Sequence, residues 1–271
     1  MKRTMIGFSD ATHRVRMMPD AVQALRSSVD RLAALVRPLD DTSLTRRSFC
    51  SQWTIADVLS HLGSGATITR RYFQTSFENS EPPDDFNPQR VWDEWNAKSP
   101  RQKADDALVA DSELMNVLEM TSPDDRARFK VSMGPREFDW DAFVGMRLNE
   151  HLVHEWDVAV TLDPSATLGA EGTQVVVDNL ERVAKFASKA QDDSRTITIS
   201  TTDPERSFSV VTGPEQVTFC SVQLGGKADL SMSAESLIRL VYGRLDPEHT
   251  RASVQGDHSL LDQLRLVFPG V

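Results

Sequence analysis

Four ionisable residues, Arg147, Glu150, His154 and Asp157, fall in the run RLNEHLVHEWD. On an α-helix, spacings of three, four and three stack them on one face over about three turns. Their neighbours are apolar, including Phe143, Val144, Met146, Leu148, Leu152, Val153, Val158, Ala159 and Val160. Ionisable groups inside an apolar segment are costly unless something charged meets them. A divalent metal ion is the simplest partner, and Glu150 with His154, at i and i+4, is the pair to bind it. Asp157 is placed to orient His154, and Arg147 to pair with Glu150, as supporting groups behind the ligands. His151 competes as a ligand but points about 100° away from Glu150. On an ordinary surface helix the same Glu–His spacing is simply solvated, and the apolar setting weighs against that here.

A catalytic zinc-type site commonly takes three protein ligands and leaves a position open. The chain offers His13, His61, His151, His154, His249 and His258. His61 is the best third ligand, because it alone lies in another strongly predicted helix, near the edge of its apolar stripe. Helical bundles assemble metal sites from facing helices in this way. Other motifs are missing. HExxH fails because HEWDV has Val158 in the final position, and HxxEH fails because the run is HLVHE, so a peptidase has no motif support. GxSxG is absent, as Gly63-Ser64-Gly65 has the wrong spacing. No GxGxxG or P-loop occurs, which leaves nucleotide binding unsupported.

The elements that must position these residues are readable from periodicity. Residues 1–18 are read as a lead-in. Val22, Leu25, Val29, Leu32 and Val36 then mark an amphipathic helix between Pro19 and Pro38. Thr54 reads as the N-cap of the helix carrying His61, with Asp57 as an acidic capping-box partner. Within that helix Gly63 and Gly65 leave room for a ligand or a close helix. EPPDDFNP is a loop, followed by a segment with Val91, Trp92 and Trp95 and a helix over about Arg101–Met120. TSPDDRARFKVSMGPREF is expected to be loop or irregular hairpin, and Asp139 to cap the helix at 147–157, which ends near Asp163-Pro164. Beyond the stretch LDPSATLGAEG the pattern changes. A helix is expected over Thr173–Ala190, then short alternating runs (TITIS, FSVV, VTFCSVQL, ADLSM) and helices near 234–242 and 259–267. The expected architecture is multidomain: an all-α four-helix bundle over 19–165, then a smaller α+β domain over 166–271.

The chain has 271 residues and a formal net charge of -10. That balance argues against nonspecific binding to nucleic acid or anionic lipid. Cys50 and Cys220 form no ligand-like spacing, so reduced thiols are expected. The N-terminus lacks the apolar core of a signal peptide, and no apolar run approaches the roughly 18 residues of a membrane span. The expectation is a cytoplasmic protein, a monomer, acting on small molecules.

Three segments together carry a resemblance: WTIADVLSHL (Trp53–Leu62), the RxxExxxHxxD pattern (Arg147–Asp157), and YGR (Tyr242–Arg244) followed by VQGD. In that order they resemble the mycothiol-dependent maleylpyruvate isomerase family. The resemblance implies a DinB-like metal-binding bundle joined to a domain resembling sterol carrier proteins, with the metal ligands falling on His61, Glu150 and His154. It also implies a C-terminal-domain arginine in the cleft, for which Arg244 is the match and Arg239 and Arg251 compete. Against that, Arg244 next to a Gly is an ordinary helix C-terminal cation. Further implications are a divalent metal, most simply zinc, and mycothiol as thiol cofactor or co-substrate. The thiolate would add to an activated C=C and be expelled after rotation, as an isomerase, or stay on the product, as an S-transferase. Arg244 would hold a substrate carboxylate. Tyr72 and Tyr242 are the available phenols. A noncatalytic small-ligand binding protein stabilised by metal, and a hydrolase using metal-bound water, are the alternatives.

Overall fold

The computed structural model describes residues 20–78, 86–250 and 253–270. The expected lead-in at 1–18, most of the Pro-rich loop and Arg251 lie outside the described residues. Helix α1 (Ala21–Val36) is capped by Asp20, which accepts from the Val22 N–H, and buries Val22, Leu25, Val29, Leu32 and Val36. A short α2 (Asp41–Leu44) precedes α3 (Ile55–Glu78). The start of α3 is set by a reciprocal box: Asp57 N–H donates to Thr54 Oγ1 at 3.2 Å, and Thr54 N–H to Asp57 Oδ2 at 3.0 Å. Next come α4 (Pro88–Asn96), α5 (Pro100–Met120) and α6 (Pro123–Arg128).

The segment expected to be loop or irregular hairpin holds the helix α6, which was not expected, and then a regular antiparallel hairpin around Gly134-Pro135, β1 (Lys130–Met133) and β2 (Arg136–Asp139). It delivers Asp139 to cap α7 (Trp140–Leu162), where the Ala142 N–H donates to Asp139 Oδ1 at 2.9 Å. Helix α1 packs on α7 and α3 on α5, and α3 also touches α7. Leu25 and Leu32, Leu59 and Leu62, Leu114 and Met115, and Leu148 and Leu152 fill the space between these four long helices.

The single helix expected over Thr173–Ala190 is divided. Helix α8 (Ala170–Val176) and α9 (Leu180–Ala187) are joined by a 3-10 turn at Val177–Asn179. The break falls on Asp178-Asn179, two weak helix formers, and the Asp178 carboxylate takes the Arg206 guanidinium at 2.6 and 2.9 Å. The strands β3 (Arg195–Thr202), β4 (Arg206–Thr212), β5 (Thr218–Ser221), β6 (Leu230–Ser233) and β7 (Gln255–Gly256) form one sheet in the order β5-β4-β3-β6-β7. Pairing is antiparallel except for the parallel β3–β6 pair. Helix α10 (Ala234–Val241) packs on β3 and β6, and α11 (His258–Val267) ends the described chain. A helical N-terminal region and a strand-containing C-terminal region thus share one continuous core, with α8 touching α1, α7 and α10 at the seam.

Candidate metal centre and cleft

His61 comes from the second turn of α3, and Glu150 and His154 from successive turns of α7. His61 Nε2 lies 3.2 Å from Glu150 Oε2, and His154 Nε2 lies 3.8 Å from the same oxygen. The donor atoms of the three residues all fall within 4.8 Å of one another. Ligands about 2.0–2.1 Å from a tetrahedral cation stand roughly 3.4 Å apart, so two imidazoles and a carboxylate at these separations suit one divalent ion. Trp53 lies against both rings, stacked on His154 at 5.8 Å and tilted over His61 at 5.2 Å.

Burial would raise the Glu150 carboxyl, but the His61 hydrogen bond and the charges of His154, His61 and Arg147 outweigh it and hold it at about 2. Burial also keeps His154 below its usual value, more strongly than the Asp157 hydrogen bond and charge raise it. Asp157 Oδ2 is 2.8 Å from His154 Nδ1. An ionised carboxylate can accept but not donate, so Nδ1 carries the proton and Nε2 presents its lone pair towards Glu150 and His61. Such a carboxylate–histidine pair fixes both tautomer and ring orientation.

Asp157 is fully buried, and Arg244 is its counterion. Arg244 Nε and Nη2 reach Asp157 Oδ1 and Oδ2, each at 2.8 Å. Nη1 donates to the Tyr242 carbonyl at 2.7 Å, and Nη2 lies 3.4 Å from Cys50 Sγ. Gly243, at φ +70°, ends α10 in the left-handed conformation that a Cβ disfavours and turns Arg244 back towards α7. Arg244 therefore reaches the cleft, but its guanidinium is committed to Asp157. Four of its five N–H groups are taken up by Asp157, Tyr242 and Cys50, and the side chain lines the cleft. The competitor Arg239 is buried elsewhere, bound through two nitrogens to Glu235 and stacked on Trp156.

Arg147 also departs from expectation. Its Nη2 donates to Asp111 Oδ1 at 2.7 Å and to the Leu62 carbonyl at 2.8 Å, rather than to Glu150. The cause is partner choice: Asp111 on α5 is fully enclosed and needs a counter-charge. The expected polar stripe thus splits, with Glu150 and His154 lining the cleft, Asp157 buried behind His154, and Arg147 turned in between the helices. His151, the lower-ranked ligand, joins that second group, with Nε2 3.2 Å from Asp111 and Nδ1 2.8 Å from Ser28 Oγ. Glu155 and Arg31 extend the chain to the surface. Gly65 makes room for the Arg147 guanidinium, and Gly63 for Trp95 and Ala107 of α5. Both glycines therefore serve close packing rather than a ligand.

Cys50 had no assigned role in the sequence. It donates to Asp157 Oδ2 at 3.2 Å. Burial and the Asp157 charge push its thiol up to about 12, so it is a hydrogen-bond donor and not a thiolate nucleophile. Cys50, His154 and Asp157 also converge as a trio, but Arg244 already occupies both Asp157 oxygens. The available signal for Cys50 and Trp53 was their place just before the N-cap of the helix that bears His61. Tyr242 lines the cleft, its phenol pushed up by burial and by the Glu150 charge. Tyr72 instead meets Phe86 edge to face.

The His61–Glu150–His154 group opens onto a cleft of about 880 Å³ between the two regions. Its walls include Trp53, Met146, Asn149 and Val153 on one side and Val183, Phe186, Val241 and Tyr242 on the other. Residues 25–159 match the family described as the mycothiol maleylpyruvate isomerase N-terminal domain, and residues 174–263 match the C-terminal domain of that family.

The chain belongs to the mycothiol-dependent maleylpyruvate isomerase family.

That family is one of enzymes. Its solved members include a mycothiol-dependent maleylpyruvate isomerase, similar to this chain at 14% identity with a TM-score of 0.60 over 83% of this chain and 88% of that one. A histidine-to-alanine variant of a mycothiol-dependent maleylpyruvate isomerase matches at 13% identity, with the same TM-score and coverage. No curated protein sequence matches the chain. Among the described residues, no helix is long and apolar enough to cross a membrane.

Proposed function

We propose that this member of the family is a divalent-metal enzyme that uses mycothiol on a small, carboxylate-bearing electrophile, as an isomerase or an S-transferase. The observation that carries the proposal is the convergence of His61, Glu150 and His154, from two helices, at one side of a cleft large enough for a thiol and an acceptor. Zinc is the metal that two imidazoles and a carboxylate favour. In this reading the helical region, to about residue 165, is the DinB-like four-helix bundle, and residues 166–271 are the sterol-carrier-like domain. The protein acts as a cytoplasmic monomer, with small-molecule partners and no nucleic acid or membrane.

The roles of the chain's own groups follow from geometry. His61, Glu150 and His154 would hold a divalent ion, which when bound would supply the positive charge that favours the thiolate form of a thiol at neutral pH. Glu150 stays ionised down to about 2 and offers a negative ligand throughout the physiological range. His154 offers Nε2 because Asp157 holds the Nδ1 proton. Arg244 keeps Asp157 ionised and in place, so it positions the ligand rather than the substrate. Trp53 walls the two imidazoles off from water on one side.

Metal analysis of the purified protein should find about one equivalent, lost in His154→Ala, and mycothiol should raise the melting temperature of the metal-loaded form. A metal-free wild type would leave a small-ligand binding protein as the better reading. A metal-loaded protein indifferent to mycothiol would favour a hydrolase using metal-bound water.

A further inference from the structure

A second cavity, of about 420 Å³, lies between α3 and α4 and shares His61 with the metal donors. Its size falls within the range that small-molecule sites take. Helix α3 contributes Asp57, His61 and Ser64, at i, i+4 and i+7, and α4 contributes Gln89, Trp92 and Asn96, at i, i+3 and i+7. Those spacings put each trio on one helix face, so the cavity is a groove about two turns, roughly 10 Å, long. Ser60 Oγ donates to Asn96 Oδ1 at 2.9 Å and ties the two helices together beside it. Trp53 completes the lining. It and His61 also line the large cleft, and their rings lie 5.2 Å apart.

The groove's one carboxylate is compensated. Asp57 takes Lys103 Nζ at 2.8 Å and the Thr54 N–H and hydroxyl at 3.0 and 2.7 Å. What the groove offers instead is neutral hydrogen bonding beside an aromatic face. Asn96 uses its carbonyl oxygen on Ser60, which leaves the amide N–H pair. Gln89 uses an N–H on Asp93 at 2.8 Å, which leaves its carbonyl oxygen to accept. Ser64 donates its proton to the His61 carbonyl at 3.0 Å, so its oxygen lone pairs remain. Trp92 is 42% exposed, and no ring or cation among the described residues covers it. A ligand suited to this lining has hydroxyls on its rim for the amides and C–H faces to lie on the indole. A polyhydroxylated ring has both, whereas an anion would find no free counter-charge and a plain hydrocarbon would strand the polar groups.

We infer that the groove between α3 and α4 holds the sugar end of the thiol cofactor, with Trp92 as stacking platform and Asn96 and Gln89 as hydroxyl partners. Mycothiol suits it, because its cysteine thiol is borne on a glucosamine–inositol body rich in hydroxyls. With the sulfur near His61, Glu150 and His154, that body reaches the groove over Trp53 and His61, the half-exposed pair that groove and cleft share. The acceptor then keeps the large cleft to itself. The inference rests on the thiol-enzyme reading, and it places cofactor and electrophile on opposite sides of His61.

The test is a calorimetric titration of zinc-loaded protein with mycothiol, with N-acetylcysteine, which lacks the sugar body, and with glucosaminyl-inositol, which lacks the thiol arm. Mycothiol should bind wild type at least about tenfold more tightly than N-acetylcysteine, the combined effect of a stack and a hydrogen bond. In the Trp92→Ala/Asn96→Asp double variant that advantage should shrink to about twofold or less. Asn96→Asp keeps an acceptor for Ser60. N-acetylcysteine affinity and zinc content of the variant should match wild type, which shows that it folds. Mycothiol that binds no more tightly than N-acetylcysteine, or as tightly in the variant as in wild type, would overturn the groove. Glucosaminyl-inositol bound in a Trp92-dependent manner by a protein that ignores both thiols would retain the groove and sink the thiol-enzyme reading. Wild type that binds none of these compounds overturns both.

Discussion

Arg244 grips Asp157 through two parallel hydrogen bonds of 2.8 Å, joining the turn that follows α10 to the second turn from the end of α7. The two side chains are 6% and 0% exposed, so the pair is desolvated on both sides. Because the same carboxylate holds His154 Nδ1, one ion pair links the strand-containing region to a candidate metal ligand.

Removing one partner of a buried pair strands the other charge. Arg244→Ala is expected to cost about 3–5 kcal/mol in urea unfolding at neutral pH. It should also weaken zinc affinity by about 10–100-fold in chelator competition, as loss of a group that orients a ligand does. Adding Asp157→Asn should restore part of the stability, because the stranded charge is gone. A double variant no more stable than Arg244→Ala alone would contradict this account.

Acid sensitivity follows from Asp157. Burial alone would raise its carboxyl, but the His154 hydrogen bond and Arg244 hold it at about 2, below its ordinary value of 3.8. Asp111 is likewise lowered: burial is outweighed by His151 and Arg147. A carboxyl depressed in the folded state contributes stability that is complete above the unfolded value and is lost as pH falls through the folded one. Metal-free protein should therefore keep a flat stability profile just above about pH 4 with respect to these groups and lose stability steadily from there towards pH 2. Arg244→Ala should flatten the low-pH slope, measured by urea midpoints across the range.

Asp111 anchors the buried chain behind the site. It holds Arg147, which in turn donates to the carbonyl of Leu62, the residue after His61. Asp111→Ala is expected to destabilise by about 3–5 kcal/mol, and zinc affinity should fall because α3 loses its tie to α7. Equal zinc affinity in folded Asp111→Ala would show that the chain supports helix packing alone.

Gly63 is a packing requirement. A Cβ there would stand 2.2 Å from Trp95 Cζ3 and 3.0 Å from the Ala107 backbone. Gly63→Ala should cost about 1–3 kcal/mol through overpacking, while metal stoichiometry remains near one. Differential scanning calorimetry with metal analysis separates the two effects.

Local rules made much of this protein legible from residues alone. The 3.6 period in α1, the Thr54–Asp57 box and the Asp139 cap are decided within a few residues of chain, so the helices could be located. The i, i+4 spacing put Glu150 and His154 on one face for the same reason. Periodicity does not say which charged partner a side chain will choose across the fold. Arg147 turned to Asp111, 36 residues away, because an enclosed carboxylate offers a stronger partner than the half-exposed Glu150. Arg244 closed on Asp157 across 87 residues, a pairing that no local pattern announces. The sequence by itself located the long helices and brought Glu150 and His154 to one face as candidate ligands. Tertiary structure decided the pairing of charges, because burial sets the cost of leaving each one alone.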